Sequence, residues 1–141
     1  MEETLQGPVH APIIYPGVSA RVKAIFTDSL ILVVMMLVVS AIFSEFESVA
    51  EQLRIIAIVF ILFLYDPLLT SFTGGTLGHR LMGLRVKDAT DHKQNINFFK
   101  ALIRFLLKAT LAWISLLTVQ GNAKGKAMHD MAVGSVVVFV E

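Results

Sequence analysis

RVKAIFTDSLILVVMMLVVSAIF, Arg21 to Phe43, is an apolar run in which Asp28 is the only charge after Lys23, and no other charge follows until Glu45. About 20 residues at about 1.5 Å each span the roughly 30 Å of hydrocarbon in a bilayer. The run is long enough to cross. A carboxylate inside it costs several kcal/mol, so Asp28 has to face protein or water rather than lipid. Why the segment carries this residue is the question the rest of the chain has to answer.

Composition fixes the solvent. Of 141 residues, 55% are hydrophobic and 16% charged, and the mean hydropathy is +0.72. Soluble domains run near 25% charged, so this chain reads as one membrane domain with a lipid-facing exterior. A net charge of +1 offers no field for nucleic acid. Cysteine is absent, which removes disulfides, thiolate catalysis and cysteine metal sites. Residues 1–17, interrupted by Pro8, Pro12 and Pro16, read as a short cytosolic tail, and residues 18–141 as the membrane domain. The first apolar run is longer than a signal-peptide core and has no clean small-residue cleavage site, so it is expected to be retained.

Three hydrophobic segments follow the tail: Val22 to Phe43, Leu53 to Phe72 and Phe98 to Val119. The loop between the first two holds Glu45, Glu47 and Glu51. The next holds Arg80, Arg85, Lys87 and Lys93. Counting Lys and Arg places the second loop and the N-terminus in the cytosol and the acidic loop outside.

The third segment is different. Lys100, Arg104 and Lys108 recur every four residues and lay a basic stripe along one helical face. A full crossing there would also export Lys124 and Lys126. LMGLRVKD and GSVVVFVE read as short strands, with Leu84 and Val86 alternating in one and Val136, Val138 and Val140 in the other. Neither is stable alone, so they are expected to pair. Pairing needs both on one side of the membrane and makes the third segment re-entrant, tilted or interfacial; a plain third crossing is the alternative. The fold expected is an all-α membrane protein of two transmembrane helices, a third membrane-embedded or interfacial amphipathic helix, and a short cytosolic β pair.

With Arg21 and Lys23 at the cytosolic interface, Asp28 lies about 8 to 10 Å inside, and Asp66, counted inward from Leu53, comes to about the same level. Both need partners. Arg104 or Lys108 on the third segment is the expected partner of Asp28, with Lys100 in the same balance, so Asp28 serves to recruit that segment. A buried network of this kind specifies packing while adding little net stability. The other reading is that water reaches Asp28 and Asp66 and they bind a proton or small cation, the usual meaning of intramembrane acids.

Arg21, Asp28 seven residues on, TLGHRLMGLRVKD from Thr76 to Asp88, and MHDMAVGSVVV from Met128 to Val138 together resemble the RDD family of small bacterial membrane proteins. The resemblance runs from Gly17 to Val140. It implies that Arg21, Asp28 and Asp130 are the arginine and two aspartates for which the family is named. It also implies a location in the cytoplasmic membrane and, as proposed for some members, exchange of cations for protons. Its general function is unassigned. His79 departs from the lysine more common after TLG, which exchanges a fixed charge for a titratable one.

Other chemistry is thin. His129 and Asp130 are adjacent as in a metal phosphohydrolase, but further ligands at suitable spacing are missing; Asp130 is expected to cap the last turn or pair with Arg21 at the cytosolic interface. FTGGTLG, Phe72 to Gly78, lacks the ending of a phosphate loop and reads as a helix terminator. No catalytic residue, metal or cofactor is expected. The partners expected are the lipid bilayer, protons or monovalent cations, and further copies of the chain, since two or three helices enclose little volume. A non-transporting structural or adaptor protein with a buried charge network is the alternative.

Overall fold

A computed structural model describes residues 12–46 and 48–140. The first eleven positions of the expected tail and Glu47 of the acidic loop lie outside the described residues. Two long helices come first, α1 over Val18–Ser44 and α2 over Glu51–Thr73. They start and end within a few residues of the first two apolar segments. Both are long and apolar enough to cross a membrane, and only 6% and 22% of their most apolar windows are buried. Leu30, Val34 and Leu37 on α1 and Ile56, Val59 and Phe60 on α2 are exposed. A water-soluble core helix hides such residues; an apolar surface this extensive needs lipid or a partner.

α2 ends where the sequence demands it. Gly74 adopts φ 75°, and its N–H and that of Gly75 close back on the carbonyls of Thr70 and Leu69, the glycine-terminated helix end that a side chain would strain. A single-turn helix, α3 over Leu77–Leu81, follows and leads into β1 over Leu84–Asp88. α3 lies against α1 because residue 78 is glycine. A Cβ there would collide with the Ala24 carbonyl and the Asp28 carboxylate.

The third apolar segment is not one continuous helix. α4 runs over Phe98–Leu111, about 21 Å at the helical rise, and then tightens into a 3₁₀ helix over Ala112–Val119. α5 over Met128–Val133 and β2 over Ser135–Phe139 complete the chain.

β1 and β2 pair antiparallel, with Leu84 opposite Phe139, Val86 opposite Val137 and Asp88 opposite Ser135. The expected strand pair is therefore present. The alternation of Val136, Val138 and Val140 points to those residues as the apolar face, yet Val140 is exposed and Val137 is the β2 residue that joins the core of Leu84, Val86, Ala24, Ile96 and Ala101. Val136 and Val138 are buried too, so β2 is covered on both faces. The segment around Ile14 accepts the Phe139 N–H at 3.0 Å and closes its outer edge.

The sheet makes residues 89–134 a closed excursion, leaving at Asp88 and returning at its register partner Ser135. Both ends of the third segment pack toward the start of α1. Ala101 shares a cluster with Ala20 and Ala24, and Val119 shares one with Val18 and Ile25.

Candidate functional site

Five charged side chains from four helices meet where this excursion packs against α1 and α2. Asp130, wholly buried, is the hub. It accepts from Arg21 Nη1 at 2.6 Å and from Arg104 Nε at 2.9 Å. Ser135 Oγ and the Ala127 N–H add contacts at 3.3 Å. Asp130 pairs with Arg21, and it caps the first turn of α5 rather than the last. Burial opposes its charge, but the charges of Arg104 and Arg21 outweigh that and hold the carboxyl well below the usual range. Arg21 Nη2 also donates to the Gly125 carbonyl at 2.6 Å, which fixes the turn before α5.

Arg104 reaches from Asp130 toward α2. Its Nη1 lies 3.8 Å from Asp66 Oδ1 and has no hydrogen-bond partner of its own. Lys108 supplies the direct contact, 2.6 Å from Asp66 Oδ2. Thr70 Oγ1 donates to the other oxygen at 3.1 Å. Asp66 is thus held by two cations of α4, as a carboxylate in the second apolar helix requires.

Lys100 is not part of this network. It pairs with Asp88 at the end of β1, 2.7 Å away. Its ammonium, with Thr90, holds the Asp88 carboxyl below the usual range. The physical reason is helical drift: residues four apart advance about 40° round the axis, so Lys100 and Lys108 diverge by about 80°.

Asp28 is where the sequence reading fails. Among the described residues, Arg104 and Lys108 find their carboxylates in Asp130 and Asp66, not in Asp28. Asp28 instead sits among uncharged donors. Tyr65 Oη donates to Oδ1 at 2.8 Å and the Gly78 N–H to the same oxygen at 2.7 Å. Thr76 Oγ1 donates to Oδ2 and is itself in contact with His79 Nδ1. The His79 ring lies 3.8 Å from the carboxylate. Thr76 is the N-cap of α3, so the residue that starts this helix also wires histidine to aspartate.

His79 is buried, and that burial, reinforced by the nearby charges of Lys108 and Arg104, pushes its ring down to about 3. The ring is neutral at ordinary pH. With the Thr76 hydroxyl committed as donor to Asp28, the neutral ring meets it as a donor from Nδ1, and the three groups form a continuous hydrogen-bonded chain.

A second histidine arrangement escaped the sequence reading. Ser115 Oγ faces His129 Nδ1 at 2.7 Å and accepts the His129 N–H at 3.1 Å, while Nε2 lies 3.6 Å from Asp130. The residue types are those of a nucleophilic triad. The setting is not: Ser115 is wholly buried, and Asp130 is committed to two arginines. Burial and Arg104 push His129 down to about 3. The contact docks α5 on the 3₁₀ helix. Among the described residues no group of three or more His, Asp or Glu side chains has the arrangement of a metal site.

Arg21 thus pairs with Asp130, and Asp28 has a separate seat. A family model, RDD family, matches residues 15–134. The chain belongs to the RDD family. The match spans α1 through α5 and includes Arg21, Asp28, Asp66, Arg104 and Asp130. No curated protein and no solved structure matches the chain. Family membership and two exposed apolar helices of spanning length together point to a membrane protein.

Proposed function

We propose that this RDD protein is an integral protein of the cytoplasmic membrane, not an enzyme, and that it exchanges a monovalent cation for a proton at Asp28. In this reading α1 and α2 cross the bilayer with the Arg21 end in the cytosol, as the distribution of Lys and Arg favours. The excursion from Asp88 back to Ser135 supports a third segment that enters from the cytosolic face and returns to it. At 14 residues, α4 is too short to span alone.

The observation that carries the exchange reading is the contrast between the carboxylates. Asp66 and Asp130 are each met by two cations, whereas Asp28 is met by a tyrosine, a threonine, an amide and a histidine. A carboxylate locked to arginine has no freedom to gain a proton or a cation. One held by hydroxyls has that freedom. Asp66, included with Asp28 as an exchange residue on sequence grounds, is here assigned to holding α4.

Arg21, Arg104 and Lys108 balance Asp28, Asp66 and Asp130 in number. Protonation of Asp28 leaves one positive charge in excess in the buried cluster, which disfavours a bound cation nearby and gives the two ions a reason to alternate. Two helices enclose little volume, and an assembly of several copies supplies the enclosed path that exchange requires.

The structural alternative has its own support: five of these six charges satisfy one another with no ligand. Purified protein in liposomes under a sodium, potassium or proton gradient separates the two. Exchange predicts gradient-driven flux in the parent and none in Asp28→Asn. Liposomes that show no flux with any of these gradients leave the structural reading standing.

A further inference from the structure

A groove of about 500 Å³ opens on the flank of the molecule between α1 and α3, lined by Ile31, Leu77, Arg80, Leu81 and Arg85. Its two ends differ in chemistry. Arg80 is exposed, and Arg85 spends one N–H on the Leu84 carbonyl at 3.0 Å. Among the described residues neither guanidinium meets a carboxylate within ion-pair distance. Leu77 and Leu81 beside them are exposed. At the other end Ile31 is shared with a second groove of about 250 Å³, lined by Leu30, Ile31, Val34 and Met35 and almost wholly apolar.

The direction of this double groove follows from α1. Gly78 fixes α3 at the level of Asp28 through its N–H bond to that carboxylate. Ile31 is about 4.5 Å further along the helix, with Val34 and Met35 about one turn beyond. Leu84, beside Arg85, packs with Ala20 and Ala24, so the guanidinium end of the groove lies toward Arg21 and an apolar channel leads from it toward the middle of α1. At a membrane interface, guanidiniums without a carboxylate partner beside apolar surface attract anionic headgroups.

We infer that the groove binds one anionic phospholipid, its phosphate between Arg80 and Arg85 and an acyl chain lying along Ile31, Val34 and Met35. The occupant follows from charge and shape together. Guanidinium forks match the paired oxygens of a phosphodiester, and the apolar continuation fits a hydrocarbon chain. A soluble phosphate fills only the first part. The inference rests on α1 and α2 spanning a membrane and is independent of whether Asp28 exchanges ions.

The test is native mass spectrometry of the full chain extracted from nanodiscs of equimolar phosphatidylglycerol and phosphatidylcholine, with glycerol 3-phosphate as a competitor. The parent retains one phosphatidylglycerol that glycerol 3-phosphate does not displace. Arg80→Gln combined with Arg85→Gln lowers its retention about tenfold or more, the scale of losing a charge-assisted fork. Ile31→Trp, which fills the groove and keeps both arginines, does the same and decides the matter should the double variant not fold. Lys124→Gln with Lys126→Gln changes nothing. Equal retention of both lipids by the parent, undiminished retention in Ile31→Trp, or displacement by glycerol 3-phosphate overturns the site. A chain that inserts into phosphatidylcholine but shows no preference refutes the lipid site alone; one that does not insert refutes the membrane reading as well.

Discussion

Arg21 Nη1 and Asp130 Oδ2 meet at 2.6 Å although the two residues are 109 positions apart in sequence. The bond closes the molecule, joining the first turn of α1 to α5, and Arg104 on the other oxygen brings α4 into the same joint. Removing the carboxylate leaves two buried guanidiniums without their main partner. Asp130→Asn should therefore lower stability by about 3 to 5 kcal/mol, the usual cost of breaking a buried pair. Lys100→Gln, which breaks a half-exposed pair with Asp88, should cost about 1 kcal/mol or less. Thermal unfolding in detergent gives both; similar midpoints for the two variants would count against the joint.

The two buried histidines predict a pH dependence. Burial, with positive neighbours, holds His79 and His129 at about 3 in the folded protein against 6.5 when unfolded. The unfolded chain takes up these protons first. Their contribution is therefore intact above about 6.5 and is lost as pH falls through the interval toward 3. Asp130, held low, extends the loss below the ordinary carboxylate range. Melting temperatures should fall steadily from pH 7 to pH 4, and His79→Gln with His129→Gln should flatten that slope. An unchanged slope would mean the histidines are not buried neutral.

The ladder between β1 and β2 has a definite parity. Val86 donates its N–H to Gly74 and Phe139 donates to Ile14, both away from the partner strand, whereas Val140 donates to Gly83. Alternation then gives the inter-strand donors of β2 to Val136 and Val138, and points the Val137 N–H outward. Proline at Val138 should break the pairing more severely than proline at Val137, although both lose a buried valine. Hydrogen exchange of the Arg85 and Lys87 amides is the readout, and equal protection in the two variants would contradict the register.

The return of the chain to its own strand predicts where its loops lie. Single cysteines at Ser48, Lys87 and Lys124, in a sequence without cysteine, should react with an impermeant thiol reagent on intact cells only at Ser48. Labelling at Lys124 without permeabilisation would restore a third crossing.

How much of this was legible in the sequence depended on the kind of signal. Helix length and lipid-facing character follow from runs of apolar residues, and α1 and α2 were readable for that reason. β1 and β2 were readable because Leu84 and Val86 alternate and neither segment can stand alone. The Arg21 to Asp130 contact is one of the two roles that the sequence suggests for Asp130. The seat of Asp28 was not visible, because rise per residue gives depth and says nothing of rotation. Thr76 and Gly78 held the missing signal: a capping hydroxyl and a residue small enough to touch α1, in a stretch read as a helix terminator. Lys100 was misplaced because an i+4 stripe drifts. Ser115 and His129 met across a 3₁₀ helix that helical periodicity does not anticipate.

The central claim is that Asp28, and not Asp66 or Asp130, is the buried carboxyl that changes protonation. Infrared difference spectroscopy of the protein in liposomes, taken between alkaline and acidic pH, observes this directly through the carbonyl stretch of a protonated carboxyl group in an apolar setting. The account predicts a band that is lost in Asp28→Asn, kept in Asp66→Asn, and shifted in Thr76→Val, which removes a hydrogen bond to the same carboxylate. A band that survives in Asp28→Asn and vanishes in Asp66→Asn would contradict it.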